Sequence, residues 1–89
     1  MNPQQVAELI RHALPDAQVA VESADDTHFA ARVISTAFTG RARIARHQLV
    51  YGALGELVGR EIHALSIEAL TPQESAGLAD AGANSRGPT

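Results

Sequence analysis

Two histidines stand at places in this sequence where a side chain could bind a metal ion. His28 follows a polar stretch and opens an apolar run, and His63 opens a second run of strand-like composition. Residues between a loop and a strand can stay accessible, and imidazole binds soft and borderline metals. Two ligands do not complete a coordination shell, so a metal here would need ligands from a partner. From spacing alone, ordinary structural roles for both histidines are the simpler interpretation.

The other two histidines are interpreted as structural. His12 lies near the end of a predicted first helix, where the helix dipole favours a positive charge, and we expect it on the surface. His47 lies on or beside the apolar stripe of a predicted second helix. We expect its ring to be half-buried and hydrogen-bonded within the fold.

The densest positive charge in the chain is formed by Arg41, Arg43 and Arg46, at the start of the predicted second helix. Arginines near a helix N-terminus could bind phosphate groups. They could also form a solvated face that balances nearby acidic residues. The formal net charge of -3 favours this second interpretation, since nucleic-acid-binding domains are more often basic.

The motifs of the common enzyme classes are missing from the sequence. There is no glycine-rich phosphate loop, no GxSxG motif and no HExxH motif, so we expect a protein that is not an enzyme. Gly52 and Gly55 match the GxxG pattern with which KH domains clamp a nucleic-acid backbone. The pattern lies within an apolar stripe and has no basic residue between its glycines. A packing role is therefore the favoured interpretation.

Length and composition predict one small globular domain. The chain has 89 residues, of which 45% are hydrophobic and 3% aromatic, so we expect a core of aliphatic side chains. It contains no cysteine, which excludes a disulfide and a cysteine-ligated metal site made by this chain alone. The first residues do not resemble a signal peptide, and no apolar run approaches the ~20 residues of a membrane span. A cytoplasmic protein is expected.

A first helix is predicted over residues 3–13. Asn2 can cap this helix, Pro3 suits its first turn, and Gln5 can reach back to complete a capping box. Apolar residues then recur at helical spacing until a proline ends the pattern.

Two strands that form an antiparallel hairpin are predicted next. They cover residues 18–23 and 28–35, and the polar residues 24–27 form the turn between them. Asp25 and Asp26 suit this turn because aspartate tolerates turn geometry and can bond to its own backbone.

A second helix is predicted from about Arg41, with Gly59 as its C-cap. Gly52 and Gly55 interrupt it, so either they allow close packing on the sheet or the helix is locally weak. Its apolar stripe consists of Ile44, His47, Tyr51, Leu54 and Val58, with Val50 and Leu57 flanking it.

A third strand over residues 62–70 and a short last helix complete the predicted elements. Thr71, Pro72 and Glu74 form the strongest helix-capping signal in the chain. Residues 77–89 are small and polar, and we expect a flexible C-terminal tail after a domain of residues 1–76. The order α-β-β-α-β-α predicts an α+β fold, in which helices cover one face of a three-stranded sheet.

Several short segments form a pattern that extends over roughly residues 3–75. They are Val21-Glu22, His28-Phe29, Phe38 with Gly40, Arg46 to Leu54, Ile62 to Ile67, and Thr71-Pro72. In combination they resemble the BolA family, and more closely its shorter bacterial branch called IbaG. The resemblance implies a KH-like fold of the class II type, which agrees with the predicted order of elements.

The resemblance also implies a partner and a cofactor. BolA-like proteins pair with monothiol CGFS glutaredoxins and share a bridging [2Fe–2S] cluster, for which the glutaredoxin supplies a cysteine and glutathione a second thiolate. The family's histidine at the start of the last strand falls on His63. The ligand of its hairpin loop falls on or near His28. Alone, the chain would bind no cluster and be a monomer or a weak homodimer.

A second role that the resemblance implies is regulation of transcription. BolA itself is described as a DNA-binding regulator of stress and morphology responses. In this chain such a role would use Arg41, Arg43 and Arg46. The negative net charge and the lack of a basic GxxG loop place DNA binding second to the glutaredoxin role.

Overall fold

A computed structural model describes the backbone of residues 1–85 and the side-chain burial of residues 1–78. It contains three α-helices, a three-stranded sheet and two short 3₁₀ turns within this range. The helices and strands are α1 Pro3–Ala13, β1 Gln18–Glu22, β2 His28–Ile34, α2 Arg43–Leu54, β3 Ala64–Leu70 and α3 Pro72–Ser85. The predicted α+β fold and its order of elements are confirmed.

Helix α1 begins with the capping box that the sequence predicts. The Asn2 side chain accepts a hydrogen bond from the Gln5 backbone N–H at 2.9 Å, and the Gln5 side chain accepts one from the Asn2 N–H at 2.8 Å. These two bonds satisfy donors that a helix start otherwise leaves unpaired. The helix ends at Ala13, as predicted.

The sheet has the order β1-β2-β3, with the hairpin partner on one side of β2 and a parallel partner on the other. Strands β1 and β2 are antiparallel, with Ala20 opposite Arg32. Strands β2 and β3 are parallel, with His28 opposite Ala64. Because α2 connects β2 to β3, the two strands can run in the same direction.

The core lies between one face of this sheet and the helices. Along β2 the buried side chains alternate with exposed ones, as expected for a strand with one covered face. Both phenylalanines are in this core, so it is not made of aliphatic residues alone. The largest fully buried side chains are those of Phe38, Ile10, Ile62, Val6, Val33 and Val50.

Helix α2 is shorter than the sequence predicts. It begins at Arg43 and ends at Leu54, and Gly55 is its C-cap with a φ of 57°. Gly59, the predicted C-cap, lies instead in the turn that follows a 3₁₀ segment. A positive φ is accessible to glycine at little cost, so Gly55 ends the helix.

The apolar stripe predicted for α2 is also displaced around the helix. Ile44 is 71% exposed and Tyr51 is 39% exposed, whereas Val50 and Leu54 are buried. The buried face is therefore centred on Val50 and Leu54. Leu54 of the predicted stripe and its flanking residue Val50 are thus buried, whereas Ile44 and Tyr51 of the predicted stripe are exposed. A Cβ at Gly52 would meet no described atom within 4 Å, so close packing does not explain this glycine.

Helix α3 has the predicted N-terminal capping box. The Thr71 N–H donates to Glu74 Oε1 at 2.9 Å, and the Glu74 N–H donates to Thr71 Oγ1 at 3.1 Å. The helix continues to Ser85, past residue 77, where the predicted tail begins. The last part of that tail, residues 86–89, lies outside the described residues, and the division at residue 76 stays a prediction.

No helix in the described part of the chain is long and apolar enough to cross a bilayer.

Candidate functional site

The parallel pairing of β2 and β3 brings the two candidate metal ligands to the same end of the sheet. His28 is the first residue of β2, and His63 directly precedes β3, which begins two residues later than predicted. The His63 N–H donates to the Thr27 carbonyl at 2.8 Å, which fixes the start of β3 against the start of β2. Because parallel strands begin at the same end of a sheet, the two histidines are neighbours.

The two imidazole rings are in edge-to-face contact. Their centroids are 5.2 Å apart and their planes differ by 76°. Both residues are exposed, and the His28 side chain retains 60% of its accessible surface. Beside His28 the surface forms a shallow depression that is partly floored by the small residues Ala30, Ala64 and Ser66. The histidines are thus accessible to a partner.

His28 is held by an aspartate of the hairpin loop. Asp25 Oδ2 lies 2.7 Å from His28 Nδ1, and Asp25 Oδ1 accepts the backbone N–H groups of His28 and Thr27 at 2.9 and 3.0 Å. These two backbone bonds, followed by the bond to the His28 ring, hold the pKa of Asp25 well below its usual range. The carboxylate is therefore ionised and acts as an acceptor.

Sequence reasoning missed this role of Asp25, which it interpreted only as a turn residue. The available signal was its position three residues before His28 at the end of a short polar turn. An aspartate that binds the turn backbone ahead of it can also reach the side chain there, as Asp25 does with His28.

The two histidines do not make a complete metal site by themselves. Among the described residues no group of three or more histidine, cysteine, aspartate or glutamate side chains could hold a metal ion. The donor set fits a cluster whose other ligands come from a partner, because neutral imidazole is a known substitute for thiolate on one iron of a [2Fe–2S] centre. It does not fit a self-contained site.

Arg46, one of the three candidate phosphate ligands, is engaged inside the fold. Its Nη1 and Nη2 atoms donate to the two carboxylate oxygens of Glu74 at 2.6 and 3.1 Å. Nη1 also donates to the Ala69 carbonyl at 3.1 Å, and Nε donates to the Arg41 carbonyl at 2.8 Å. Only 13% of the side chain is accessible. The Arg46 side chain is thus paired within the fold, which distinguishes it from the other two predicted phosphate ligands.

Arg41 and Arg43 remain on the surface at the start of α2. Both are exposed, and the Arg41 Nε donates to the Ala37 carbonyl at 3.0 Å. The N-cap residue Ala42 supplies no side-chain hydrogen bond to the helix. The described groove beside them also contains Glu68 and Glu74, so its charge is mixed.

The remaining histidines lie outside the pair. His12 is exposed in the last turn of α1, as predicted. His47 is half-buried on α2, as predicted, but the described residues include no hydrogen bond to its ring. His28, and not His47, is the ring that contacts His63.

A model of the family described as BolA-like protein matches residues 6–74. The chain belongs to the BolA-like family. The match includes His28, His63 and the whole of α2, so the predicted resemblance is confirmed.

Relatives of this BolA-like chain occur in bacteria and eukaryotes. It is 37% identical over 75 residues to an uncharacterized protein in the rpoN-murA intergenic region of Acinetobacter guillouiae, covering 83% of this chain and 89% of the relative. It is 44% identical over 55 residues to BolA-like protein 1 of Homo sapiens, covering 62% of this chain and 40% of the human protein. The chain thus spans less than half the length of that human relative.

Solved structures of the family share the fold. A bolA protein homologue from Coxiella burnetii superposes with a TM-score of 0.77 at 35% identity, covering 85% of this chain and 97% of the homologue. Yeast Fra2 superposes with a TM-score of 0.67 at 27% identity, covering 89% of this chain and 88% of Fra2. The sheet and helices described above are therefore the family's architecture.

Proposed function

We propose that this BolA-like chain is a non-enzymatic adaptor in iron–sulfur cluster trafficking or iron homeostasis. It would act by sharing a [2Fe–2S] cluster with a monothiol CGFS glutaredoxin and glutathione. The single observation that carries the proposal is the contact between two exposed histidine rings, 5.2 Å apart, at one end of the sheet. Family membership supports the expected partner, since the resemblance to BolA proteins implies pairing with a CGFS glutaredoxin.

The ligand chemistry supports a shared cluster. The chain has no cysteine, so thiolate ligands must come from the glutaredoxin and from glutathione. His63 is the first ligand we assign to the chain and His28 the second. Mixed histidine and cysteine ligation raises the reduction potential of a [2Fe–2S] centre relative to ligation by cysteine alone. Binding would weaken at low pH, because an imidazole must be neutral to bind iron.

The position of the histidines suits a bridging role. The His63 backbone N–H is hydrogen-bonded to the Thr27 carbonyl, so this link between β2 and β3 does not depend on the His63 side chain. The shallow depression beside His28 contains small side chains that leave room for a partner to approach. Substitution of either histidine should therefore weaken cluster binding more than it destabilises the fold.

Anaerobic titration tests this proposal. The purified chain is added to glutathione-bound, [2Fe–2S]-loaded CGFS glutaredoxin, and visible circular dichroism and native mass spectrometry follow the reaction. We expect a changed cluster spectrum and a one-to-one complex that retains the cluster. An unchanged spectrum without a complex would contradict the adaptor function.

A DNA-binding regulatory function is the second candidate, favoured by one observation on α2. Arg41 and Arg43 are exposed at a helix start whose N-cap provides no side-chain hydrogen bond, an arrangement that can accept a phosphate. Two arginines supply a small part of the positive surface that DNA binders use. Undetectable binding to duplex DNA at low salt would contradict this function.

A further inference from the structure

The hairpin loop of residues 23–27 is built around the carboxylate of Asp25. Oδ1 accepts the backbone N–H groups of Thr27 and His28, and it lies 3.3 Å from the Ser23 hydroxyl. Oδ2 is left for the His28 ring, whose Nδ1 is 2.7 Å away. The backbone of the loop thus holds the carboxylate in a fixed position relative to the imidazole.

This contact determines which ring nitrogen of His28 carries the hydrogen. An ionised carboxylate can only accept a hydrogen bond, so Nδ1 must be the donor. The Thr27 hydroxyl oxygen, 3.1 Å from Nδ1, can accept the same hydrogen. A neutral imidazole protonated at Nδ1 has its free lone pair on Nε2. Nε2 is therefore the atom of His28 that can bind a metal.

We propose that Asp25 is a positioning residue that holds His28 in the Nδ1–H tautomer and so presents Nε2 to the cluster iron. The part of this inference that concerns iron rests on the proposed adaptor function. The part that concerns the tautomer is a property of the free chain. Carboxylates that bond to a ligating histidine in this way orient the ring and strengthen the ligand, and their loss commonly lowers metal affinity 10–100-fold, as an order of magnitude.

Asp25→Asn separates this role from support of the loop. The asparagine oxygen can still accept the backbone N–H groups of Thr27 and His28. The Ser23 hydroxyl independently binds the loop, because it donates to the His28 carbonyl at 2.6 Å and accepts the Asp26 N–H at 2.9 Å. The asparagine NH₂ group would face Nδ1, however, and would favour a hydrogen on Nε2.

Asp26→Asn is the matched control. It removes the same charge one residue away, and none of the described hydrogen bonds joins the Asp26 side chain to the His28 ring. Asp26 has a φ of 58°, a left-handed conformation that asparagine tolerates well. A difference between the two variants therefore reports contact with His28 and not a change in net charge.

The decisive experiment is nitrogen NMR of the free, ¹⁵N-labelled chain at a pH where the His28 ring is neutral in each variant. Two-bond ¹H–¹⁵N correlation spectra distinguish the two tautomers. We expect the Nδ1–H form in the wild-type chain and in Asp26→Asn, and mainly the Nε2–H form in Asp25→Asn. An Nε2–H tautomer in the wild type, or an unchanged tautomer in Asp25→Asn, would overturn the positioning role.

A second measurement tests the link to the cluster. Titration into [2Fe–2S]-loaded CGFS glutaredoxin should show about 10–100-fold weaker binding for Asp25→Asn and near-wild-type binding for Asp26→Asn. Equal affinities for the two variants would overturn the proposed effect on iron binding. Absence of any complex with the wild type would instead overturn the adaptor function, and the NMR spectra distinguish these two failures.

Discussion

Arg46 and Glu74 form a bidentate ion pair that joins α2 to α3. The two N–O distances are 2.6 and 3.1 Å. Arg46 also binds the Ala69 carbonyl at the end of β3, and Glu74 accepts the Thr71 N–H as part of the α3 capping box. One carboxylate therefore serves both as a helix cap and as the attachment point of α3. Planar arginine suits such a site better than lysine because its N–H groups match both oxygens.

The first prediction concerns acid stability. Hydrogen bonds from Arg46, followed by the Thr71 backbone N–H, lower the pKa of Glu74 from its ordinary value of 4.5 to about 2. A carboxylate whose pKa is lower in the folded chain stabilises the fold above its unfolded pKa. We therefore expect the wild type to be more stable than Glu74→Gln near neutral pH. This difference should shrink as the pH falls from about 4.5 to about 2.

Urea unfolding at several pH values measures this difference. Glu8→Gln is the control, since Glu8 is exposed on α1 and no described hydrogen bond involves its side chain. The free energy of unfolding of Glu8→Gln should differ little from that of the wild type, and this difference should not change over the same pH range. A Glu74→Gln effect that is independent of pH would contradict the ion pair as the source of stability.

The fold was predictable because its elements carry strong local signals. The capping boxes at Asn2 and Thr71 mark the starts of α1 and α3, and the polar turn before His28 marks the hairpin. The end of α2 was not predictable in the same way. Three glycines lie between residues 52 and 59, and the choice among them as C-cap depends on the path that the chain takes after the helix.

The second prediction uses two of these glycines. Gly52 lies within α2, and a methyl group there would meet no described atom within 4 Å. Gly52→Ala should therefore raise the free energy of unfolding by about 1 kcal/mol through helix propensity. Gly55 has a φ of 57°, which alanine adopts only with strain. Gly55→Ala should lower the free energy of unfolding by about 1–3 kcal/mol.

Denaturant unfolding of Gly52→Ala and Gly55→Ala measures these two changes, and we expect the slope against denaturant concentration to stay unchanged. Opposite signs are expected although both substitutions add one methyl group. Destabilisation by Gly52→Ala would indicate that the helix needs a glycine there for close approach by another group.

The third prediction separates the arginines. Arg41→Gln with Arg43→Gln removes two exposed charges, so the double variant should fold normally and still form the glutaredoxin complex. If these arginines bind phosphate, the dependence of log affinity for duplex DNA on log salt concentration should become shallower by about 1.8. Each lost phosphate contact contributes ~0.9 to that slope. Arg46→Gln should instead lower the melting temperature, because it breaks bonds to Glu74 and Ala69.

Fluorescence anisotropy over a salt series and thermal unfolding measure these effects. Equal melting temperatures for the wild type and Arg46→Gln would contradict the structural role of Arg46. Loss of the glutaredoxin complex in the double variant would show that the start of α2 belongs to the partner interface, contrary to our account.

The candidate site was only partly predictable from sequence. His28 and His63 were identifiable by residue type and by their positions at or directly before the start of a strand. Their contact depends on the parallel pairing of β2 and β3, which sequence periodicity does not specify. Arg46 looked like its neighbours Arg41 and Arg43, because its ion pair is with a residue far along the chain. Asp25 looked like a turn residue because the carboxylate that binds the turn backbone also binds the His28 ring.

The fourth prediction tests the central claim most directly. His63→Ala is titrated into glutathione-bound, [2Fe–2S]-loaded CGFS glutaredoxin and followed by visible circular dichroism, with His12→Ala as the control. His12 is an exposed histidine on α1, outside the histidine pair, so its loss should not affect the cluster. Our account predicts that the spectrum of the mixed-ligand cluster is lost in His63→Ala and retained in His12→Ala, while both variants stay folded. A wild-type cluster spectrum with His63→Ala would contradict the account.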